Sequence, residues 1–257
     1  MSLHNEVEFE NEICERLGTN GWQYSAGDAV NYDRAKALYP ADIVEWIKAT
    51  QPKSWEVITD NYGRQATEVV VSRLRDSLNQ RGTLDVIRHG TELLGLRQPL
   101  AMAQFKPALA MNPDIMARYS ANRLRVVRQV RYSLLNENCI DLVLFLNGIP
   151  VATVELKTDF TQSVNDAIDQ YRFDRIPNPK GQAPEPLLSF AGGALVHFAV
   201  STDEVRMTTR LNGAETVFLP FNLGDNGAAG NPVNPKGCRT AYLWEQVWQR
   251  DSWLEIL

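Results

Sequence analysis

Residues 139–157, "CIDLVLFLNGIPVATVELK", constrain this chain more than any other stretch. Two runs rich in Val, Ile, Leu and Phe flank Asn147-Gly148, a dipeptide that strongly favours a tight hairpin turn. Both runs are apolar almost throughout, so they read as buried strands and not as a wet ladder. Three charged side chains, Asp141, Glu155 and Lys157, stand at the open end of that hairpin. Charge on a buried strand is costly unless it is compensated, so their placement calls for a chemical reason.

In a strand, residues i and i+2 share a face, so Glu155 and Lys157 point together and Leu156 points away. The facing of Asp141 depends on the turn. An even-length loop puts Asp141 and Glu155 on opposite faces; an odd loop or a bulge puts them on the same one. If they converge, two carboxylates at hydrogen-bond range resist ionising together unless a cation sits between them. Carboxylate oxygens, with water and phosphate oxygens, are the ligands Mg²⁺ prefers. Such a metal lowers the pKa of bound water and stabilises charge on a phosphoryl transition state. A nearby lysine can hold or deprotonate the attacking water, or neutralise the transition state. Asp…Glu-x-Lys is therefore a minimal metal-dependent phosphodiesterase pattern, in one-metal or two-metal form. The bland alternative is a solvated Glu155–Lys157 ladder pair worth only about 0.2–1 kcal/mol.

The remaining chain supplies the setting. "EFENEICERL" has Phe9, Ile13 and Leu17 at helical spacing. "PADIVEWIKAT" (40–50) opens on a first-turn proline, and "QATEVVVSRLRDSLNQRG" (65–82) is a helix closed by Gly82. Residues 83–117 carry no clear pattern. The texture changes near Asn122: "RLRVVRQVRYSLL" is β-branched and alternating, and the hairpin follows it. "SVNDAIDQYRFDR" (163–175) is a helix burying Val164, Ile168 and Tyr171, with Asp166 and Gln170 on its other side. Gln170 there either reaches the open end of the sheet or belongs to a solvated helix face. "LVHFAVST", "EVRMTTRL" and "TVFLPFN" are strand-like, residues 224–237 form a turn-rich loop, and "LWEQVWQRDSWLEIL" is a closing helix. Strands with an intervening helix give a mixed sheet with helices against it, of class α/β or α+β, behind a mainly helical N-terminal part.

Composition excludes several functions. The formal net charge of −5 argues against a general polyanion-binding surface. One local exception is residues 118–131, "RYSANRLRVVRQVR", with five arginines and no acid. These either contact phosphates or pair with acids such as Glu137. The three cysteines form no CxxC, which excludes a cysteine-rich zinc site and suits a reducing cytoplasm. His4, His89 and His197 are isolated, and His197 within "LVHFAV" reads as a core histidine. No apolar run approaches the roughly 20 residues of a membrane span. There is no GxxxxGK[ST] and no GxSxG.

With these residues in view, a family resemblance emerges. "NRLRVVRQVRYS", "IDLVLFLNGIPVATVELK", "DAIDQYRFDR", "VHFAVSTDEVRMTTRL" and "FLPFN" resemble the amino-terminal nuclease region of the endonuclease (R) subunit of type I restriction-modification enzymes. The likeness extends to "PADIVEWIKATQP", "TLDVIRHG" and "YLWEQVWQRDSWLEIL". It implies a PD-(D/E)xK, restriction-endonuclease-like fold spanning residues 1–257 as one nuclease domain. In that layout 1–117 is the helical part and 118–257 the core with its closing helix. Asp141 and Glu155 match the metal-site acids, Lys157 the catalytic lysine, and Gln170 the glutamine of the following helix. The family often has a tyrosine four residues past that glutamine; here that position is Asp174, and a tyrosine stands at Tyr171 instead. Related nucleases bring a glutamate from their first helix to the metal, for which Glu10 is the best positional match, with Glu6 and Glu12 close by. Arg123, Arg125, Arg128, Tyr171 and Arg172 are the expected duplex contacts.

What the resemblance implies for function is a cytoplasmic, Mg²⁺-dependent endonuclease that cuts double-stranded DNA. The chain would be a fragment of a longer one, followed by an ATP-driven translocase that alone uses ATP. Methylation and specificity subunits would be its partners. The rival reading is a non-catalytic docking or autoinhibitory module on the same fold, against which the intact Asp, Glu and Lys count.

Overall fold

The structure, a computed structural model, describes residues 2–109, 111–158 and 163–257, and only the backbone of residues 2–5, so the His4 side chain lies outside the described residues. Six helices come first: α1 (Ser2–Thr19), α2 (Pro40–Thr50), α3 (Pro52–Tyr62), α4 (Ala66–Arg81), α5 (Thr83–His89) and α6 (Pro113–Ala121). Strands β1 (Leu124–Arg131), β2 (Cys139–Leu146) and β3 (Ile149–Leu156) follow, then helix α7 (Val164–Asp169), which continues as a π-turn over Gln170–Asp174. Strands β4 (Val196–Val200), β5 (Val205–Thr208) and β6 (Leu219–Pro220) complete the sheet, and a π-turn at Leu243–Val247 precedes α8 (Arg250–Ile256). The sheet order is β1-β2-β3-β4-β5-β6. Only β3 and β4 pair in parallel, because α7 carries the chain across between them.

The expected helices at 40–50 and 65–82 form where the prolines and Gly82 place them. Pro40 occupies the first turn of α2, where it sacrifices no hydrogen bond. Gly82, at φ +87, ends α4 and starts α5. Helix α3 was not legible from periodicity, since Ile58 is its only buried residue. The patternless stretch 83–117 holds α5 and α6 with irregular chain between them. The closing segment is not one helix: Trp248 and Gln249 separate the π-turn from α8.

The hairpin is the centre of the molecule. Every residue of β3 is buried. Leu142, Leu144, Leu146, Val154 and Leu156 pack on one side with Phe9, Ile13, Ile43, Leu74, Trp244 and Trp248. Val127, Val143 and Phe145 pack on the other with Tyr171 and Leu187. Covering on both faces explains why the two strands are continuous in apolar residues. Asn147 and Gly148 have φ of +50° and +84°, the two-residue turn their sequence favours. The tip is tightly docked: a Cβ on Gly148 would stand 2.5 Å from the Tyr39 carbonyl oxygen and 2.6 Å from Ile43 Cγ1. Asn147 is fully buried, yet its amide donates to Met102 O and Asn122 Oδ1, both at 2.9 Å, and accepts from Arg123 N at 2.7 Å.

Candidate active site

A two-residue turn is an even loop, and by itself it would set Ile140, not Asp141, opposite Glu155. The register changes within the hairpin. Leu146 pairs with Ile149 and Phe145 with Pro150, but Leu144 pairs with Ala152 and Leu142 with Val154. Val151 is thus an extra residue in β3, a bulge that advances the partner strand by one position. Continued one rung outward, the shifted register sets Asp141 across from Glu155, on one face. The condition that the sequence left open is met by the bulge and not by the turn.

Around this pair the charges are closely held. Asp141 Oδ2 accepts from Leu156 N at 2.7 Å, and Oδ1 accepts from Gln129 Nε2 at 3.3 Å. Glu155 is fully buried, and Arg175 Nε donates to its Oε1 at 2.6 Å. Its Oε2 is buried without a hydrogen-bond partner. Burial first, and then the charge of Asp141, raise the Glu155 carboxyl well above the ordinary carboxylate range, against the pull of Arg175. Lys157, 6% exposed, donates from Nζ to Glu6 Oε1 at 2.7 Å.

Helix α1 supplies two of its acids to this region. Glu10 is buried and is pushed up to about 7, by burial and then by the charge of Asp141, while Arg128 and Gln129 oppose the shift. Glu6 engages Lys157, whereas Glu12 is exposed and lines a different surface with Arg16 and Glu245. Gln170 opens the π-turn, and its Oε1 is buried without a partner. The π-turn adds a residue to the helical repeat, and Arg175 N closes it onto Gln170 O at 3.0 Å. Sequence reasoning missed Arg175 and Gln129. Arg175 ended an α-helical pattern that gave it no partner; in the structure it follows the π-turn and its Nε meets Glu155.

The donor set fits a hard divalent cation. Two carboxylates converge, one carboxylate oxygen and one amide oxygen are buried and unpaired, and the acids beside them are strained by mutual repulsion. Among the described residues no group of three or more His, Cys, Asp or Glu forms a metal centre alone.

The expected duplex contacts are placed differently. Arg125 donates to Asp42 Oδ2 at 2.6 Å, to Asp28 Oδ2 at 2.5 Å and to Gln23. Arg123 Nε donates to the same Asp42 at 2.9 Å. Arg128 Nη2 lies 2.7 Å from Glu10 and also reaches Asn11. These guanidiniums are compensated by internal acids, though not by Glu137, which binds Arg34 and Arg131. Arg172 donates to Thr216 O at 3.0 Å and stays partly exposed. Tyr171 corrects the expectation outright: it is fully buried, so it has no surface to offer a duplex.

Tyr171 Oη shares a hydrogen bond with Thr153 Oγ1 at 2.8 Å, and Thr153 in turn meets His197 Nδ1 at 2.7 Å. His197 is the core histidine its apolar run suggests. Burial lowers it to about 3, so the native state stays unprotonated while an unfolded chain takes up a proton near 6.5. Between those values the unfolded state binds more protons, so stability rises with pH and is lost on acidification. In urea titrations from pH 6 to pH 4, His197→Asn should remove up to about 1.4 kcal/mol of acid sensitivity per pH unit relative to wild type. Equal slopes for both proteins would refute a neutral buried imidazole.

Fold and site together define a class: a mixed α/β sheet protein with two acids and a lysine gathered at the open end of a central hairpin. The family described as type I restriction enzyme R protein N terminus matches residues 4–216, and the chain belongs to it. No curated protein matches the sequence. Among the described residues no helix is long and apolar enough to cross a membrane.

Proposed function

We propose that this chain is the Mg²⁺-dependent endonuclease domain of a type I restriction enzyme R subunit, hydrolysing phosphodiester bonds of double-stranded DNA. The observation that carries this reading is the Val151 bulge, which sets Asp141 opposite Glu155 with Lys157 on the same face. Asp141 and Glu155 would hold the metal, through the unpaired Glu155 Oε2 among other oxygens. When bound, the metal would supply charge stabilisation at the scissile phosphate and an acidified water. Arg175 holds Glu155 through Oε1, which leaves Oε2 without a partner. Lys157, aimed by Glu6, would position the attacking water or take its proton. Gln170 would orient the substrate or a ligand through its unpaired oxygen.

In this reading residues 1–257 act as one nuclease unit of a longer chain whose translocase uses ATP. Methylation and specificity subunits are its partners, and the specificity subunit selects the DNA target. Strong phosphate contact by Arg123, Arg125 and Arg128 is not needed, since the motor would supply most of the DNA affinity.

A Mn²⁺ titration of this chain, read by calorimetry, tests the site. Wild type should bind and Glu155→Gln should lose at least about tenfold in affinity, as a removed carboxylate ligand requires. A wild-type chain without measurable Mn²⁺ binding at millimolar concentration would instead favour a docking module.

A further inference from the structure

Gln129 sits in the middle of β1 with φ +52, in the left-handed region that side chains avoid. Its neighbours Arg128 and Val130 pair regularly with Leu142 and Ile140, and Gln129 is the one residue of β1 without a rung. It stands directly across from Asp141. A glutamine has no intrinsic reason to adopt this backbone, unlike Gly or Asn, so the surrounding structure must hold it there.

The side chain shows what that backbone achieves. Gln129 Nε2 donates to Glu10 Oε1 at 2.5 Å and to Asp141 Oδ1 at 3.3 Å. One uncharged amide thus bridges two carboxylates that repel each other, from two elements far apart in sequence. It also lines an open cleft of about 650 Å³ with Tyr32, Arg34, Arg131 and Glu137. Arg128 neutralises Glu10 from within, but no cation contacts Asp141 among the hydrogen bonds described.

We propose that Gln129 is a positioning residue of the metal site, holding the Asp141 carboxylate in place through an amide that is itself fixed by Glu10. This rests on the nuclease reading above. Its left-handed backbone is part of the arrangement in which one amide reaches both acids.

Gln129→Gly separates this role from a structural one, because it removes the amide while relieving the left-handed backbone. The variant should be as thermostable as wild type or more so, yet bind Mn²⁺ about tenfold more weakly, the low end of what outer-shell partners contribute. Gln129→Asn, which tolerates the same backbone but is one methylene too short, should weaken binding similarly. Mn²⁺ affinity within twofold of wild type in the glycine variant would overturn the proposal, as would a loss of affinity matched by a loss of thermal stability. If wild type itself binds no Mn²⁺, the nuclease reading fails first and takes this role with it.

Discussion

Lys157→Ala should abolish DNA cleavage by the assembled restriction enzyme, with a loss of at least about 10²–10⁴-fold, while ATP hydrolysis continues. The reason is position. Lys157 lies two residues beyond Glu155 on the same strand face, is 6% exposed, and is held by Glu6 at 2.7 Å. In the proposed mechanism an ammonium kept in so dry a place would interact strongly with a developing phosphorane charge, and alanine would leave nothing in its stead. The substitution removes no carboxylate, so Mn²⁺ binding by the chain should persist. Asp141→Ala should abolish cleavage too, but with loss of Mn²⁺ affinity, so the pair of variants separates metal binding from the proton-handling role. Cleavage by Lys157→Ala within tenfold of wild type would remove the lysine from the mechanism.

Asp42→Ala should cost about 3–5 kcal/mol of folding stability, the usual consequence of deleting one partner of a buried ion cluster. Asp42 is completely buried in the first turn of α2 and receives Arg123 Nε at 2.9 Å and two Arg125 nitrogens at 2.6 and 3.0 Å. Arg125 would keep only Asp28, Gln23 and the face of Tyr39, 4.4 Å away, and Arg123 would keep Gln23. In a chain of this length the thermal midpoint should fall by roughly 10 °C, at 2–4 °C per kcal/mol. A loss below about 1 kcal/mol would mean that these guanidiniums do not depend on their internal acids.

Much of the fold was legible because its signals are local. Pro40 and Gly82 mark helix ends through their own backbone preferences, and Asn147-Gly148 specifies a hairpin through two positive φ values. The unbroken apolar run of β3 announced a strand covered on both faces. Helix α3 and the residues near 83–117 were obscure because their burial is sparse or irregular, leaving no period to read. Within the site, the acid pair and the lysine were legible as residue types. Their convergence was not, since it turns on one extra residue in a strand whose sequence, "IPVATV", gives the bulge no distinctive mark.

The arginines show the same limit from the other side. Five in fourteen positions without an acid read as a cationic stripe, because the acids that compensate four of them lie at Glu10, Asp28, Asp42 and Glu137, mostly far away in sequence. By itself the sequence determined which groups are available: a buried hairpin, two acids, an amine, and helices to cover them, since each depends on covalent identity and short-range backbone preference. Only the tertiary structure decided which groups meet. The bulge at Val151, the meeting of Arg175 with Glu155, and the pairing of Arg125 with Asp42 each rest on contacts between separate segments, where a shift of one residue in a strand reverses a side chain's direction.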